Sequence, residues 1–232
     1  MAKLEIHEKL YSVVILGDFN PAIFHPSWFA QNDLIAHQEI GDASDLTCTD
    51  EVSTFVLDDI HFQIERKKFG ITTKDAAKAP SVRDLVVGSF TLLEHTPLTF
   101  LGLNLDMTVA CDSQDAWHAI GHRLAPKDPW NDVMDSPGMI GVSMQGKRPE
   151  SSSERISIRI HPVMDPENGV FVGVNQHYAL KSESRRSISE RNCEAMRILG
   201  ADWTSFYNYA EKSAMKLLEV DNSSEAFSNA HS

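Results

Sequence analysis

Long apolar runs are missing from this chain. No stretch approaches ~18 uninterrupted apolar residues, so no membrane-spanning helix is expected. Cysteine is scarce: Cys48, Cys111 and Cys193 are odd in number, far apart and never in a CxxC spacing. That excludes a disulfide framework or a zinc ribbon, and lone thiols suit a reducing compartment. The opening MAKLEIHEKL carries charges throughout and lacks the apolar segment of a secretory leader, so a cytoplasmic location is expected. Basic charge is also in short supply. With 21 Lys and Arg against 33 Asp and Glu, the formal net charge is −12. Nucleic-acid affinity comes largely from cations that neutralise phosphates, so neither a nucleic-acid nor a membrane partner is expected. The clusters Arg66-Lys67-Lys68 and Arg185-Arg186 are short and read as solvated strand ends or loops. No GxSxG, P-loop or GxGxxG pattern is present. Gly138, Gly141 and Gly146 neither open a helix nor lead to Lys-Ser/Thr. No catalytic residue and no cofactor is therefore assigned.

What the chain does have is ordinary globular content: 232 residues, 42% hydrophobic and 23% charged, enough for one large domain or two fused halves. It is organised around Pro97–Pro126, which reads as one long strand, a short break and a helix closed by a proline. Tyr11–Ile35 echoes it. In both, an apolar strand carries Leu-Gly and then Asn (Leu16-Gly17 to Asn20, Leu101-Gly102 to Asn104), and a Trp follows (Trp28, Trp117).

Lys9–Gly17 is rich in Val, Ile and Tyr and predicts a strand. Ser27 then caps a helix with Trp28, Leu34 and Ile35 on its apolar side. Gly41–Glu51 is polar and acidic and is expected to be a loop. Val52–Leu57 and Ile60–Lys67 are strands about the Asp58-Asp59 turn, the second alternating with one wet face, and Phe69–Thr72 adds a short strand. Ala79-Pro80-Ser81 opens a helix that ends before Pro97. After the central strand and the helix Ser113–Leu124, Ala125–Gly138 holds three prolines and predicts an exposed loop. Strands are expected at Met139–Gly146, Arg155–Pro162 and Val170–Leu180, with turns at Ser151–Ser153 and Asn168-Gly169. Ser187–Glu219 is a long helix with a three–four rhythm through Met196, Leu199, Trp203, Phe206, Ala210, Ala214 and Leu217; Gly200 marks an expected bend.

The predicted class is α+β: mostly antiparallel sheet covered by helices, as two β-α-β-β-β-α halves related by pseudo-duplication, with a long C-terminal helix. The halves are expected at 1–96 and 97–219, and 220–232 as a flexible tail. This element order is similar to duplicated, saddle-like α+β folds such as the TATA-binding-protein fold. The resemblance lies in element order alone and carries over no DNA-binding residue.

Two constellations stand out chemically. His118 and His122 lie one helical turn apart, the spacing of a metal-binding helix, but Ala119 stands where a zinc protease carries its glutamate. Strand parity places Asn104 with Asp106, Arg159 with His161, and Asn175 with His177. If those faces coincide, one sheet surface presents two imidazoles, a carboxylate, a guanidinium and two amides, a candidate ligand-binding surface. Cys111, ahead of a helix N-terminus, is a candidate activated thiol. Trp28 and Phe29, and Trp130 in the proline-rich loop, are candidate interface anchors. The leading expectation is a non-enzymatic protein–protein interaction or assembly subunit, with a protein partner or a second copy. A metal-dependent or His-based hydrolytic enzyme and a small-ligand sensor are the alternatives.

Overall fold

The structure, a computed structural model, describes residues 3–149, 155–180 and 187–220. The expected turn at Ser151–Ser153, Arg185-Arg186 and the tail after Val220 lie outside these residues. The elements are β1 (Leu4–Gly17), α1 (Pro26–Gln31), β2 (Ser44–Cys48), β3 (Val52–Leu57), β4 (Ile60–Glu65), β5 (Lys68–Thr73), α2 (Ala79–Leu92), β6 (Leu98–Cys111), α3 (Gln114–Leu124), β7 (Val142–Lys147), β8 (Arg155–Val163), β9 (Gly169–Ala179) and α4 (Ile188–Leu218). Short 3-10 turns at Pro21–Ile23, His37–Asp42 and Asp128–Trp130 punctuate them. The fold is α+β, with a single antiparallel sheet of nine strands in the order β2-β3-β4-β5-β1-β6-β9-β8-β7.

Outward from the central β1–β6 pair, each half lays down its last strand first: β5, β4, β3 and β2 on one side, β9, β8 and β7 on the other. The order is thus the same on both sides, and β2 has no counterpart among the described residues. The Leu-Gly echo does not follow this order. Gly17 closes β1 opposite Leu98, whereas Gly102 lies inside β6 opposite Val14. Asn20 caps a 3-10 turn, whereas Asn104 lies inside β6.

The four α-helices among the described residues pack on one side of the sheet, all within one core. In the first half the rings of Phe24, Phe29, Phe55, Phe62, Phe69 and Phe90 form one cluster beneath α1 and α2. In the second half Leu101, Leu103, Leu105, Val172 and Val174 meet Leu199, Trp203 and Phe206 of α4 within the same continuous core. Alternation in β4 comes out as expected, with Ile60, Phe62 and Ile64 buried and His61, Gln63 and Glu65 exposed. A capping box fixes the start of α4: the Ser187 side chain accepts from the Glu190 amide, and the Glu190 carboxylate accepts from the Ser187 amide. The helix then runs 31 residues, unbroken through Gly200. Tyr207 reaches the middle of the sheet, donating to the Ser12 carbonyl and packing on Tyr11. Among the described residues no helix is long and apolar enough to cross a membrane.

Two local expectations need correction. The cap of α1 is His25, whose Nδ1 accepts from the Ser27 amide at 3.1 Å, and the helix stops at Gln31, short of Leu34 and Ile35. Gly41–Glu51 contains strand β2, which β3 holds by main-chain pairing although its residues are mostly exposed.

Candidate functional site

Among the described residues the ring contacts from helix to sheet land on the face that carries Tyr11, Phe55, Phe69 and Val174, and no helix covers the opposite face. Register decides what that open face presents. Asn104 stands opposite Asn175, and Asn175 opposite Ser157. Asp106 stands opposite Gly173, and Gly173 opposite Arg159; Gly102, His177 and Arg155 form a third row. His161 lies opposite Phe171. The six residues Asn104, Asp106, Arg159, His161, Asn175 and His177 therefore do share one face.

Their contacts are specific. The Asn175 amide donates to the Asn104 carbonyl oxygen. His161 stacks on Phe171 at 4.5 Å with planes 8° apart, and His177 lies 4.8 Å from Phe100. Gly173 is small for a reason: a Cβ there would sit 2.8 Å from Asp106 Oδ1 and 3.0 Å from the Phe171 ring. Its bare backbone lets the carboxylate lean toward Arg159 from two strands away. Burial pushes the Asp106 carboxyl above its ordinary range, and Arg159 pulls it partly back. Burial, and secondarily the Arg155 charge, push the His177 imidazole below its ordinary range. None of the four cavities described below is lined by these six residues.

The largest of those cavities, about 660 Å³, lies against α4 and holds a network that the sequence did not reveal. Arg148 Nη1 donates to both Asp202 oxygens at 3.0 and 2.9 Å and to Gln176 Oε1 at 3.1 Å. Its other terminal nitrogen donates to Ser205, and the guanidinium lies 5.1 Å over the Tyr209 ring. Gln176, fully buried on the helix-facing side of β9, donates to the Tyr178 hydroxyl at 2.8 Å, and that hydroxyl donates to Asp202. Arg148 is thus paired within the chain through both terminal nitrogens. The network acts as a clasp between α4 and the segment after β7. Two further cavities, lined by Asp33, Leu34, Asp58 and Asp84 and by Glu39, Asp42 and Asp59, flank the β3–β4 turn.

His118 and His122 are exposed on α3 and line a cavity of about 230 Å³ with Trp117, Met139, Pro162 and Val170. Among the described residues no group of three or more His, Cys, Asp and Glu is arranged to hold a metal ion. Cys111 is buried at the end of β6; burial and the neighbouring Asp112 raise its thiol, the opposite of activation.

The aromatic anchors divide three ways. Phe29 is completely buried, so the interface role expected for it is corrected to a core role. Trp28 is half-buried, edge-on to Phe24 and Phe29. Trp130 is 50% exposed, and it has company. Val133, Met134, Ile140 and Met144 are exposed in the same stretch of chain and Met164 in the β8–β9 turn, against only Leu16, Leu46 and Leu92 elsewhere among the described residues. The loop residues among them stand out in the sequence only as apolar side chains in a proline-rich segment.

A scan of protein-family models and a search of curated proteins found no match for this chain.

Proposed function

We propose that this chain is a non-enzymatic binding protein that docks a protein partner at the β7 end of its sheet, as a subunit of a larger assembly. The observation that carries this reading is the run of exposed large apolar residues in the segment that leads into β7, Trp130, Val133, Met134, Ile140 and Met144, with Met164 in the β8–β9 turn. Single exposed apolar side chains are normal, whereas a run of them in one segment supports an interaction surface. The open face supports the same reading, because its polar residues lie along three paired strands, where a macromolecule can spread. The raised Cys111 thiol supports it too, by weakening the nucleophile reading.

Size-exclusion chromatography with light scattering tests the proposal on the full chain. The expected result is a mass above that of the 25.9 kDa monomer, or a stoichiometric co-purifying protein. In the Trp130→Ser/Val133→Ser variant that association is lost without a change in melting temperature. A strict monomer with no partner, indifferent to both substitutions, overturns the reading.

A further inference from the structure

We infer that the partner element this site accepts is an extended polypeptide strand of alternating acidic and apolar residues, added to edge strand β7. This rests on the binding reading above and deepens it.

The sheet has two edges, and among the described residues β2 is the better protected. At β2 the register shifts between Ser44 and Thr47, Asp45 sits at φ 52°, and its charge lies on the strand. Bulges and charges of this kind are how proteins stop a free edge from pairing. Strand β7 has no bulge and no positive φ. It pairs with β8 without interruption from Val142–Ile160 to Lys147–Arg155, and its first charge is Lys147 at the far end. Among the described residues no strand pairs with its outer side, which leaves the row of main-chain donors and acceptors that strand addition uses.

The two sides of β7 differ in chemistry. On the helix side Met144 is 68% exposed, and Ile140, just before the strand, is 91% exposed. Val142 and Ile158 share that side and are half-buried. Helix α4 packs chiefly on β6 and β9 and leaves this strip open. On the open side stand Lys147 and, one strand further in, Arg155 and Arg159, all exposed. None of the three makes a salt bridge or side-chain hydrogen bond among the described residues; Arg159 faces Asp106 across Gly173 without an ion pair. Elsewhere in the chain cations are commonly paired, as in Lys9–Glu211, Arg66–Glu51, Lys74–Glu8 and Arg197–Glu194.

A strand added beside β7 lies about 4.8 Å from it and about twice that from β8, with side chains alternating between the faces. One set meets Lys147, Arg155 and Arg159 and is best acidic; the other meets Val142 and Met144 and is best apolar. A second copy pairing through β7 fits less well, because Val142–Lys147 offers no acid to those cations. A single-stranded nucleic acid would satisfy the cations but neither the main-chain edge nor the apolar strip.

The test uses fluorescence anisotropy with labelled peptides of about eight residues, the length of a typical strand. The probes are alternating Val-Glu, alternating Val-Lys, and a peptide with the Val-Glu composition in two blocks. The full chain is expected to bind alternating Val-Glu about ten-fold more tightly than either control at low salt. Lys147→Glu/Arg155→Glu/Arg159→Glu is expected to reverse the preference toward Val-Lys, and Met144→Asp to weaken binding without moving the melting temperature. If the triple variant does not fold, Arg159→Glu alone is expected to erase the preference. Equal binding of the two alternating peptides, no binding up to about 1 mM, preference for a single-stranded oligonucleotide, or a dimer closed through β7 overturns the inference. Should the peptides fail while light scattering still reports a Trp130-dependent assembly, only the strand inference falls; if both fail, the binding reading falls with it.

Discussion

Replacing Phe29 with alanine removes a ring that touches no solvent and is caged by other rings. Its centroid lies 5.1 Å from Trp28, 5.2 Å from Phe62, 5.9 Å from Phe55 and 6.3 Å from Phe24. Phe55 and Phe62 are fixed on paired strands, so they cannot move far to fill the space. Phe→Ala in a core costs about 3–5 kcal/mol, and poor collapse places this site near about 4 kcal/mol. At about 2–4 °C per kcal/mol for a chain of this size, the melting temperature should fall by about 8–16 °C. Urea denaturation checks it: the midpoint should drop while the slope stays constant. Trp130→Ala is the internal control. Its ring is half exposed, so its stability should stay within about 0.5 kcal/mol of the parent. A Phe29→Ala loss below about 1 kcal/mol would refute the assignment of this ring to the core, and with it the separation of core from docking aromatics.

Asp202→Ala leaves the Arg148 guanidinium, the Gln176 amide and the Tyr178 hydroxyl without their shared acceptor, and should cost about 2–4 kcal/mol by denaturation. In a double-mutant cycle with Arg148→Met the coupling should exceed about 1 kcal/mol; additive losses would show that the clasp is not a unit. His177 is held below its ordinary pKa by burial and by Arg155, so the folded chain favours the neutral ring. Its contribution is therefore complete above the unfolded pKa near 6.5 and is lost as pH falls from there through the lower folded value. His177→Asn should lose less stability than the parent between about pH 7 and pH 5 in matched urea titrations; equal losses would contradict the stated shift.

Much of the architecture was legible in residue order. The period-two rhythm of Ile60, Phe62 and Ile64 and the three–four rhythm from Met196 to Ala214 gave β4 and α4, because in both the pattern reports which face is buried. Strand β2, Ser-Asp-Leu-Thr-Cys, was not legible. Main-chain bonds to β3 hold it rather than burial, so it has no apolar rhythm. Trp28 and Phe29 are neighbours in sequence, and a pair on a short helix does not reveal which ring turns inward. Parity within β6, β8 and β9 was readable, but the register that puts Asp106, Gly173 and Arg159 in one row belongs to the assembled sheet. Arg148 finds Gln176 28 positions and Asp202 54 positions away, a distance at which no local pattern operates.

Hydrogen–deuterium exchange on the full chain, with and without the alternating Val-Glu peptide, tests the docking site most directly. Protection is expected in β7, at Val142–Lys147, with little change in β2 at Ser44–Cys48. Protection confined to β2 or to the α4 cleft, with β7 exchanging at its free rate, would contradict the account.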